Sequence, residues 1–446
     1  MKKTILLVCL LLSQSFFGFA QDKFVIQNKK HSDKIKFKLI HNLIVIPLEV
    51  NGVTLSFLLD TGVSKPIIFN FLNVSNTLKL KDPETIYLRG LGGDKSVEAL
   101  KSGNNILKLG DAIKLEQDLY AVYNSNLSLA PRLGFPVHGI IGYDLFKDLI
   151  VQINYSNQTI ILTEPAFFKK KPCKSCEYFD LKFHKRKPYI QANVSLNQKN
   201  IPLKLLIDSG GSDSLWLFEN DSIGLSPEGN MFHDFLGHGL TGSVYGHRSK
   251  VKSFSLKSFE FKNVNVAFPD SEFTVFAQRI KDRNGSIAGN ILKRFNMTFD
   301  YQKGQLRMKK NKYYNEKFSY NKSGIELAHD GMRAVKEVDV ESGADKLSFQ
   351  KKNQSKNVFS VKSTERYKIQ LKPAYVIAEI RDNSPASEAG LMVDDLILSI
   401  NGKDTKQYSL QEILEMFYED NGRRIKLKIE RDGNIMYFTF FLKAVL

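Results

Sequence analysis

Cysteine is scarce in this chain of 446 residues, which contains only three. Cys9 lies in an apolar N-terminal run, so Cys173 and Cys176 are the pair that remains beyond it. One Cys-x-x-Cys pair cannot supply the four ligands of a structural zinc site, and no thioredoxin-like context accompanies it. The pair therefore predicts either a small local disulfide or two free thiols.

Long apolar runs are also lacking beyond the N-terminus. Residues 1–20 are typical of a signal peptide, with Lys2 and Lys3 before a short apolar run and small residues up to Ala20. That run is too short for a spanning helix, and no later stretch is long and apolar enough to cross a bilayer. We therefore expect an exported protein without a membrane span, either periplasmic or secreted.

Nucleic-acid-binding motifs are absent despite the basic composition. The chain has 64 Lys and Arg against 47 Asp and Glu, a formal net charge of +17. The lysines are spread along the chain, which favours a solvated basic surface over a nucleic-acid partner.

A metal-binding motif is lacking too. His233, Asp234, His238 and His247 lie close together in sequence. No helical His-Glu-x-x-His pattern accompanies them, so we interpret the histidines as ordinary flap and loop residues and expect no metal and no cofactor.

The chain does contain a long internal repeat. Leu-Leu-Asp-Thr-Gly at 58–62 returns 148 positions later as Leu-Ile-Asp-Ser-Gly at 206–210. Gly-Ile-Ile-Gly and Ser-Ile-Ala-Gly end at Gly142 and Gly289, which lie 82 and 81 residues past Asp60 and Asp208. A lone triplet such as Asp-Asn-Gly at 420–422 is an ordinary turn, so the matched spacing carries the evidence. Residues 24–165 (lobe 1) and 176–310 (lobe 2) therefore predict two versions of one lobe, related by a pseudo-two-fold axis.

Two Asp-Thr/Ser-Gly lobes, each with a downstream apolar-apolar-Gly, resemble the pepsin and retropepsin aspartic proteases. More narrowly, the chain resembles bacterial retropepsin-like proteins that carry a PDZ domain behind the protease lobes. The resemblance covers nearly all of the chain after the signal peptide. It implies a mainly β fold, with a bilobal pair of double-ψ β-barrels followed by a PDZ domain, a small α+β barrel.

A pair of close carboxylates can share one proton, so that one activates a water while the other protonates the carbonyl oxygen. Asp60 and Asp208 are the expected catalytic residues. The glycines would allow tight turns, two hydroxyls would bond across to the other lobe, and two serines would bond the outer carboxylate oxygens. The expected supporting residues are Thr61, Gly62, Ser64, Ser209, Gly210 and Ser212.

In the family that the chain resembles, a hairpin of each lobe covers the substrate as a flap. Glycines mark two such hairpins here, although the usual flap tyrosine is not obvious in lobe 1. The flap candidates are Gly90, Gly92, Gly237, Gly239 and Tyr245.

Residues 320–446 resemble a bacterial PDZ domain. Ser-Pro-Ala at 384–386, Ala-Gly-Leu at 389–391, Asp-Leu-Ile at 395–397 and Ile-Asn-Gly at 400–402 carry this resemblance. A short strand is expected to open at 323–327, and a polar inserted loop is expected at about 341–365. By resemblance, the carboxylate-binding loop and peptide-binding strand would be Gly324, Ile325, Glu326 and Leu327, where a peptide C-terminus would add as a strand.

These observations predict an exported aspartic endopeptidase with a polypeptide substrate and a PDZ domain that binds peptide or protein termini. With both lobes in one chain, we expect a monomer rather than a dimer that pairs lobes between chains. The alternative from another class is a non-enzymatic envelope adaptor with inert protease-like lobes.

Overall fold

The computed structural model describes residues 22–69, 78, 80–88, 96–122, 129–239, 242–338 and 367–446. Strands predominate among them, as the sequence predicts. The chain divides into two compact units, which are Met1–Lys322 with Lys443–Leu446, and Ser323–Leu442. The predicted signal peptide at 1–20, the predicted loop at 341–365 and the flap candidates Gly90 and Gly92 lie outside the described residues.

The described residues of lobe 1 form short and long strands and two short helices. In chain order these are β1 Val25–Ile26, β2 Ser32–Lys36, β3 Lys38–Ile40, β4 Leu43–Val50, β5 Val53–Leu59, β6 Ile67–Phe69, β7 Glu84–Leu88, β8 Val97–Leu109, β9 Ala112–Val122, α1 Ala130–Leu133, β10 Gly139–Ile141, α2 Tyr143–Asp148, β11 Ile150–Asn154 and β12 Thr159–Thr163. Short 3₁₀ helices follow β11 and β12 at Tyr155–Asn157 and Pro165–Phe167.

Lobe 2 repeats this plan. Its elements are β13 Cys176–Asp180, β14 Lys182–His184, β15 Lys187–Leu196, β16 Lys199–Ile207, β17 Leu215–Leu217, a 3₁₀ helix Asp221–Ile223, β18 Phe232–Gly239, β19 Gly242–Leu256, β20 Phe259–Pro269, α3 Ser271–Gln278, β21 Gly285–Ile287, α4 Gly289–Leu292, β22 Phe295–Asp300 and β23 Gln305–Lys310.

The two lobes share one strand arrangement around their Asp-Thr/Ser-Gly triplets. In lobe 1, β10 pairs in parallel with β5 and antiparallel with β6. In lobe 2, β21 pairs in parallel with β16 and antiparallel with β17. In each lobe, the strand that leads into the triplet therefore pairs with the strand that carries the downstream apolar motif.

A third sheet joins the lobes, in the order β13-β23-β22-β11-β12-β2. At its centre β11 and β22 run antiparallel, with Val151 opposite Phe299. β11 follows Gly142 and β22 follows Gly289 in the chain, so the two strands hold matching places in the repeat. Phe146 packs edge-on against Phe299, with ring centroids 5.1 Å apart. Both side chains are buried in the large core that the lobes share, so burial of apolar area holds the lobes together.

The described part of the second unit forms one sheet and two helices. Its elements are β24 Ile325–Val338, β25 Tyr367–Ile380, α5 Pro385–Glu388, β26 Leu396–Ile400, β27 Lys403–Asp404, a 3₁₀ helix Thr405–Gln407, α6 Leu410–Phe417, β28 Arg424–Arg431 and β29 Asn434–Phe441. Its order is β24-β25-β26-β28-β29, with β27 paired to β26. The helix α6 forms because its apolar residues face the core and Ser409 forms a capping box with Glu412.

The expectation of a short strand at 323–327 is wrong. β24 continues to Val338, because Tyr367–Ile380 pairs with it along its whole length. The far half of this hairpin exposes both of its strands to solvent, as at Met332 and Ile369.

Cys173 and Cys176 form a disulfide in the segment between the lobes, which settles the alternative left by the sequence. Among the residues that the structure describes, no helix combines the length and apolar character needed to span a membrane.

Candidate active site

The two triplets begin where buried strands end. β5 ends directly before Asp60 and β16 ends directly before Asp208. The backbone N–H of Asp60 donates to the carbonyl of Ile141 over 2.8 Å, and that of Asp208 donates to the carbonyl of Ile287 over 2.9 Å. Each aspartate is therefore fixed by the apolar strand that the sequence placed about 80 residues downstream.

Hydroxyl groups bind the two triplets to each other. Thr61 Oγ1 donates to the carbonyl of Ile207 over 2.7 Å, and Ser209 Oγ donates to the carbonyl of Leu59 over 2.7 Å. In turn the Ser209 N–H donates to Thr61 Oγ1 over 3.1 Å, and the Thr61 N–H donates to Ser209 Oγ over 3.0 Å. Both side chains are buried, so these four bonds satisfy groups that water cannot reach.

The glycines bring the two carboxylates together. Gly62 donates its N–H to Asp60 Oδ1 over 2.6 Å, and Gly210 donates its N–H to Asp208 Oδ1 over 3.1 Å. A Cβ on Gly210 would overlap the Asp60 carboxylate, and one on Gly62 would lie 3.1 Å from Asp208 Oδ1. Each glycine thus lies against the aspartate of the opposite lobe, and the two carboxyl groups are neighbours.

The electrostatics of this pair favour a retained proton. Burial raises the pKa of Asp60 to about 7, and the charge of Asp208 acts in the same direction. The Gly62 N–H and the Lys187 ammonium oppose this shift by favouring the ionised carboxylate. The pair can therefore hold one proton up to near-neutral pH, which is the state that general acid–base chemistry requires.

Two further glycines let the apolar strands pass close to the triplets. A Cβ on Gly142 would overlap the backbone carbonyl of Asp60 and lie 2.8 Å from Val63 Cγ1. A Cβ on Gly289 would lie 2.6 Å from the Asn42 carbonyl oxygen. Neither position therefore has room for a Cβ.

Substituting Gly142 by alanine is expected to destabilise the first unit by about 3 kcal/mol, because the added methyl group must push backbone atoms apart. The measurement is urea unfolding followed by the fluorescence of Trp216, the single tryptophan, which lies in lobe 2. Gly103→Ala is the matched control, since its Cβ would approach nothing nearer than 3.7 Å. Equal midpoints for the two variants would contradict the packing argument.

The supporting serines are placed differently from the expectation. Within the described part of the chain, no hydrogen bond joins Ser64 or Ser212 to either carboxylate. Instead the Ser212 carbonyl accepts a hydrogen bond from Asn42 Nδ2 over 2.8 Å, which ties the two lobes at the edge of the site. A role for the two serine hydroxyls stays a prediction.

The lobe 2 flap candidates lie in the β18–β19 hairpin. Gly237 and Gly239 are in β18, and Tyr245 lies opposite Phe235 in the register, with ring centroids 5.8 Å apart. The Arg132 guanidinium from α1 of lobe 1 lies 4.7 Å from the centroid of the Phe235 ring. The hairpin therefore reaches from lobe 2 to lobe 1.

A network that the sequence did not indicate ties this hairpin to the Asp208 loop. Arg248 donates from Nε to Asp234 over 2.9 Å and from Nη1 to Asp213 over 2.9 Å. Trp216 Nε1 also donates to Asp213, over 2.8 Å. No local pattern marks these residues, since the strand pairing alone brings them together. The described residues also include no group of His, Cys, Asp or Glu side chains that could hold a metal ion.

In the second unit, β24 is an edge strand among the described elements, and α6 packs against it. Gly324, with φ of +86°, precedes this strand, and its carbonyl accepts from the Arg381 N–H over 2.8 Å. Ile325 and Leu327 are buried in the core, while Glu326 is half-buried. A peptide at this edge could therefore use the backbone of the strand but not the two apolar side chains.

Comparison with known proteins gives two findings. Residues 376–431 match a family model described as PDZ domain, from the middle of β25 to the end of β28. The chain is also similar to the crystal structure of an aspartic proteinase from Irpex lacteus, with 12% sequence identity and a TM-score of 0.42, over 64% of this chain and 99% of that one. The second unit thus contains a PDZ domain, and the predicted mainly β fold class is confirmed.

Proposed function

We propose that the first unit is an aspartic-type endopeptidase that hydrolyses peptide bonds with a water activated by Asp60 and Asp208. The observation that carries the proposal is the paired placement of the two carboxylates by reciprocal Thr61 and Ser209 bonds. The raised pKa of Asp60 supports it, because a dyad that shares one proton contains both a base and an acid.

In the proposed reaction the ionised carboxylate takes a proton from a water held between the two aspartates. The water oxygen attacks the carbonyl carbon while the protonated carboxyl group donates its proton to the carbonyl oxygen, which gives a neutral gem-diol. The dyad then donates a proton to the leaving nitrogen and takes one from a hydroxyl of the gem-diol as the carbon–nitrogen bond breaks. This yields a carboxylic acid and an amine and restores the starting protonation of the pair. The acid and base roles belong to the pair rather than to either residue, and no acyl-enzyme forms.

The test is incubation of the full-length chain with unfolded protein from pH 3 to 8. We expect cleavage in the acidic range and a decline as pH rises through about 7, since Asp60 then loses its proton. A pepstatin-like transition-state inhibitor should block cleavage and also raise the Tm of this chain. The shift in Tm belongs to the chain itself, so a contaminating protease cannot produce it. Absence of both effects would favour the adaptor alternative, in which the lobes are inert.

We also propose that the PDZ domain binds the C-terminus of a peptide as an added strand on β24. PDZ domains use this mode, in which main-chain hydrogen bonds supply affinity and a loop captures the terminal carboxylate. Gly324, at a positive φ directly before the edge strand, is placed to turn such a loop.

A peptide that ends in leucine with a free carboxylate is expected to bind the full-length chain at least ten times more tightly than the same peptide with an amidated end. The charge-assisted bonds to the carboxylate are lost in the amide. Calorimetry with the Asp208→Asn chain measures both affinities without cleavage. Equal affinities would show that no terminal carboxylate is recognised.

Export is a further part of the proposal. The disulfide between Cys173 and Cys176 supports it, because disulfides persist in oxidising compartments. A periplasmic or secreted fraction that contains this chain, cleaved after Ala20, is the expected result of fractionation and N-terminal sequencing.

A further inference from the structure

The side chains next to the dyad differ in chemistry between the lobes. Leu58 and Leu206 lie two positions before Asp60 and Asp208, so strand alternation puts them on the same face as the aspartates. This is not the core face, since the intervening Leu59 belongs to the shared core while Leu58 lies in a separate cluster. The residues opposite Leu58 and Leu206 in the register therefore line the same face.

In lobe 1 this face is apolar. Leu58 lies opposite Val45 on β4 and opposite Ile140 on β10. Leu43 and Val137 complete the cluster, and Ile140 packs against it. Lys38 on β3 lies opposite Val45, with its ammonium 4.2 Å from the centroid of the Phe135 ring. Lys182 holds the matching position in lobe 2, so this cation does not distinguish the lobes.

In lobe 2 the matching face carries polar and cationic groups beside a small apolar cluster of Tyr189, Leu206 and Ile280. Leu206 lies opposite Tyr189 on β15, and Ser286 takes the register position that Ile140 holds in lobe 1. Arg283 Nη2 donates to Ser286 Oγ over 3.0 Å, and its guanidinium lies 6.0 Å from the Tyr189 ring centroid. An arginine side chain therefore lies on this face.

Lys187 adds a second cation. It is the first residue of β15 after a two-residue hairpin turn, as Leu43 is the first residue of β4. Tyr189 pairs with Leu206, so continuing the β15–β16 register by two residues places Lys187 opposite Asp208. In the same way, the β4–β5 register places Leu43 opposite Asp60. A lysine thus stands beside one aspartate where a leucine stands beside the other.

The two cations are not balanced by the dyad. Burial lowers the pKa of both Lys187 and Arg283, and Arg283 also lowers that of Lys187 by repulsion. The negative charge of Asp208 acts to raise the pKa of both residues, and the negative charge of Asp60 acts to raise the pKa of Lys187. A dyad that holds one proton carries one negative charge, so with both side chains protonated one positive charge is left over on this half-buried face.

We propose that the lobe 2 side of the cleft binds an acidic side chain of the substrate at Lys187 and Arg283, while the lobe 1 side binds an apolar one. The chain would then cleave beside an Asp or Glu residue whose neighbour across the scissile bond is apolar. The planar guanidinium fork matches a carboxylate, and the partly buried setting strengthens the attraction. The inference rests on the proposed peptidase activity, because it assigns the substrate class of that same cleft.

The test uses short peptides that cannot be cleaved, in which a hydroxyethylene group replaces the bond between the two central residues. The central pairs are Leu-Glu, Glu-Leu and their glutamine counterparts, and both ends are blocked so that the PDZ domain has no terminal carboxylate to bind. For one of the two orders, Leu-Glu or Glu-Leu, we expect the glutamate peptide to bind the full-length chain about ten times more tightly than its glutamine counterpart. This ratio corresponds to one charge-assisted hydrogen bond. Lys187→Met and Arg283→Met should each lower this ratio. Lys262→Met, which removes an exposed lysine of β20, should leave the ratio as it is.

A ratio near one in the wild type, or a ratio that survives both substitutions, would overturn the proposal. The wild-type ratio needs no variant, so it decides even if Arg283→Met fails to fold. A further peptide carries glutamine and ends at the second central residue with a free carboxylate. If only this peptide binds more tightly, the cations bind a substrate terminus rather than an acidic side chain, which also overturns the proposal. Hydrolysis is followed separately with a cleavable Leu-Glu or Glu-Leu peptide. A tenfold ratio without hydrolysis would reject the peptidase and retain the acidic-group site.

Discussion

Asparagine at position 60 or 208 is expected to lower kcat/KM for peptide hydrolysis about 10³-fold, because either change removes one of the two carboxyl groups that exchange protons with the water and the carbonyl. The amide oxygen of asparagine can still accept the N–H of Gly62 or Gly210, so the turn geometry is retained. The hydroxyl bonds of Thr61 and Ser209 are also untouched. The loss should therefore appear in catalysis and not in folding.

The matched control is Asp420→Asn. Asp420 also opens an Asp-x-Gly triplet, but it is exposed and lies in the second unit. This variant should cleave like the wild type, and all three should share one Tm to within a few degrees. Activity above a tenth of the wild-type level in either dyad variant would reject the two-carboxylate mechanism. The double variant should be no slower than the slower single variant, because residues that act as a unit are not additive.

The dyad could be predicted because its signals are local and occur twice. An alternating strand that ends in Asp-Thr/Ser-Gly predicts a turn, and the second copy predicts its partner in the other lobe. The Gly142 and Gly289 motifs add the strand behind each turn. The structure places these elements next to each other, as the parallel pairing of β5 with β10 and of β16 with β21 demonstrates.

The cationic face of lobe 2 could not be predicted in this way. Lys187 and Arg283 are far from Asp208 in sequence, and neither forms part of a motif. Their position follows from the register of β15 on β16 and from the loop that leads into β21, both of which are properties of the folded sheet. A comparison of the two lobes by strand register would have found them. Lys187 holds the position of Leu43, and Arg283 bonds Ser286, which holds the position of Ile140.

The reciprocal bonds between Thr61 and Ser209 are the contact whose removal should most affect stability. Thr61→Val keeps the shape of the side chain but leaves the Ile207 carbonyl and the Ser209 N–H without these partners. Ser209→Ala does the same to the Leu59 carbonyl and the Thr61 N–H. A buried polar group without a partner costs roughly 1–3 kcal/mol, so each substitution should destabilise the first unit by about 3 kcal/mol.

Urea unfolding followed by Trp216 fluorescence measures the change, with Thr54→Val as a control at an exposed position of β5. The four orphaned groups are distinct, so independent bonds would give additive losses in a double-mutant cycle. We expect the double variant to lose less than the sum, because one substitution already loosens the junction on which the other bonds depend. Cleavage by each single variant should also be slower than that of the wild type, even under conditions where the variant remains folded. The reason is that the junction sets the distance between Asp60 and Asp208. Single variants within 0.5 kcal/mol of Thr54→Val would mean that the junction does not hold the lobes together.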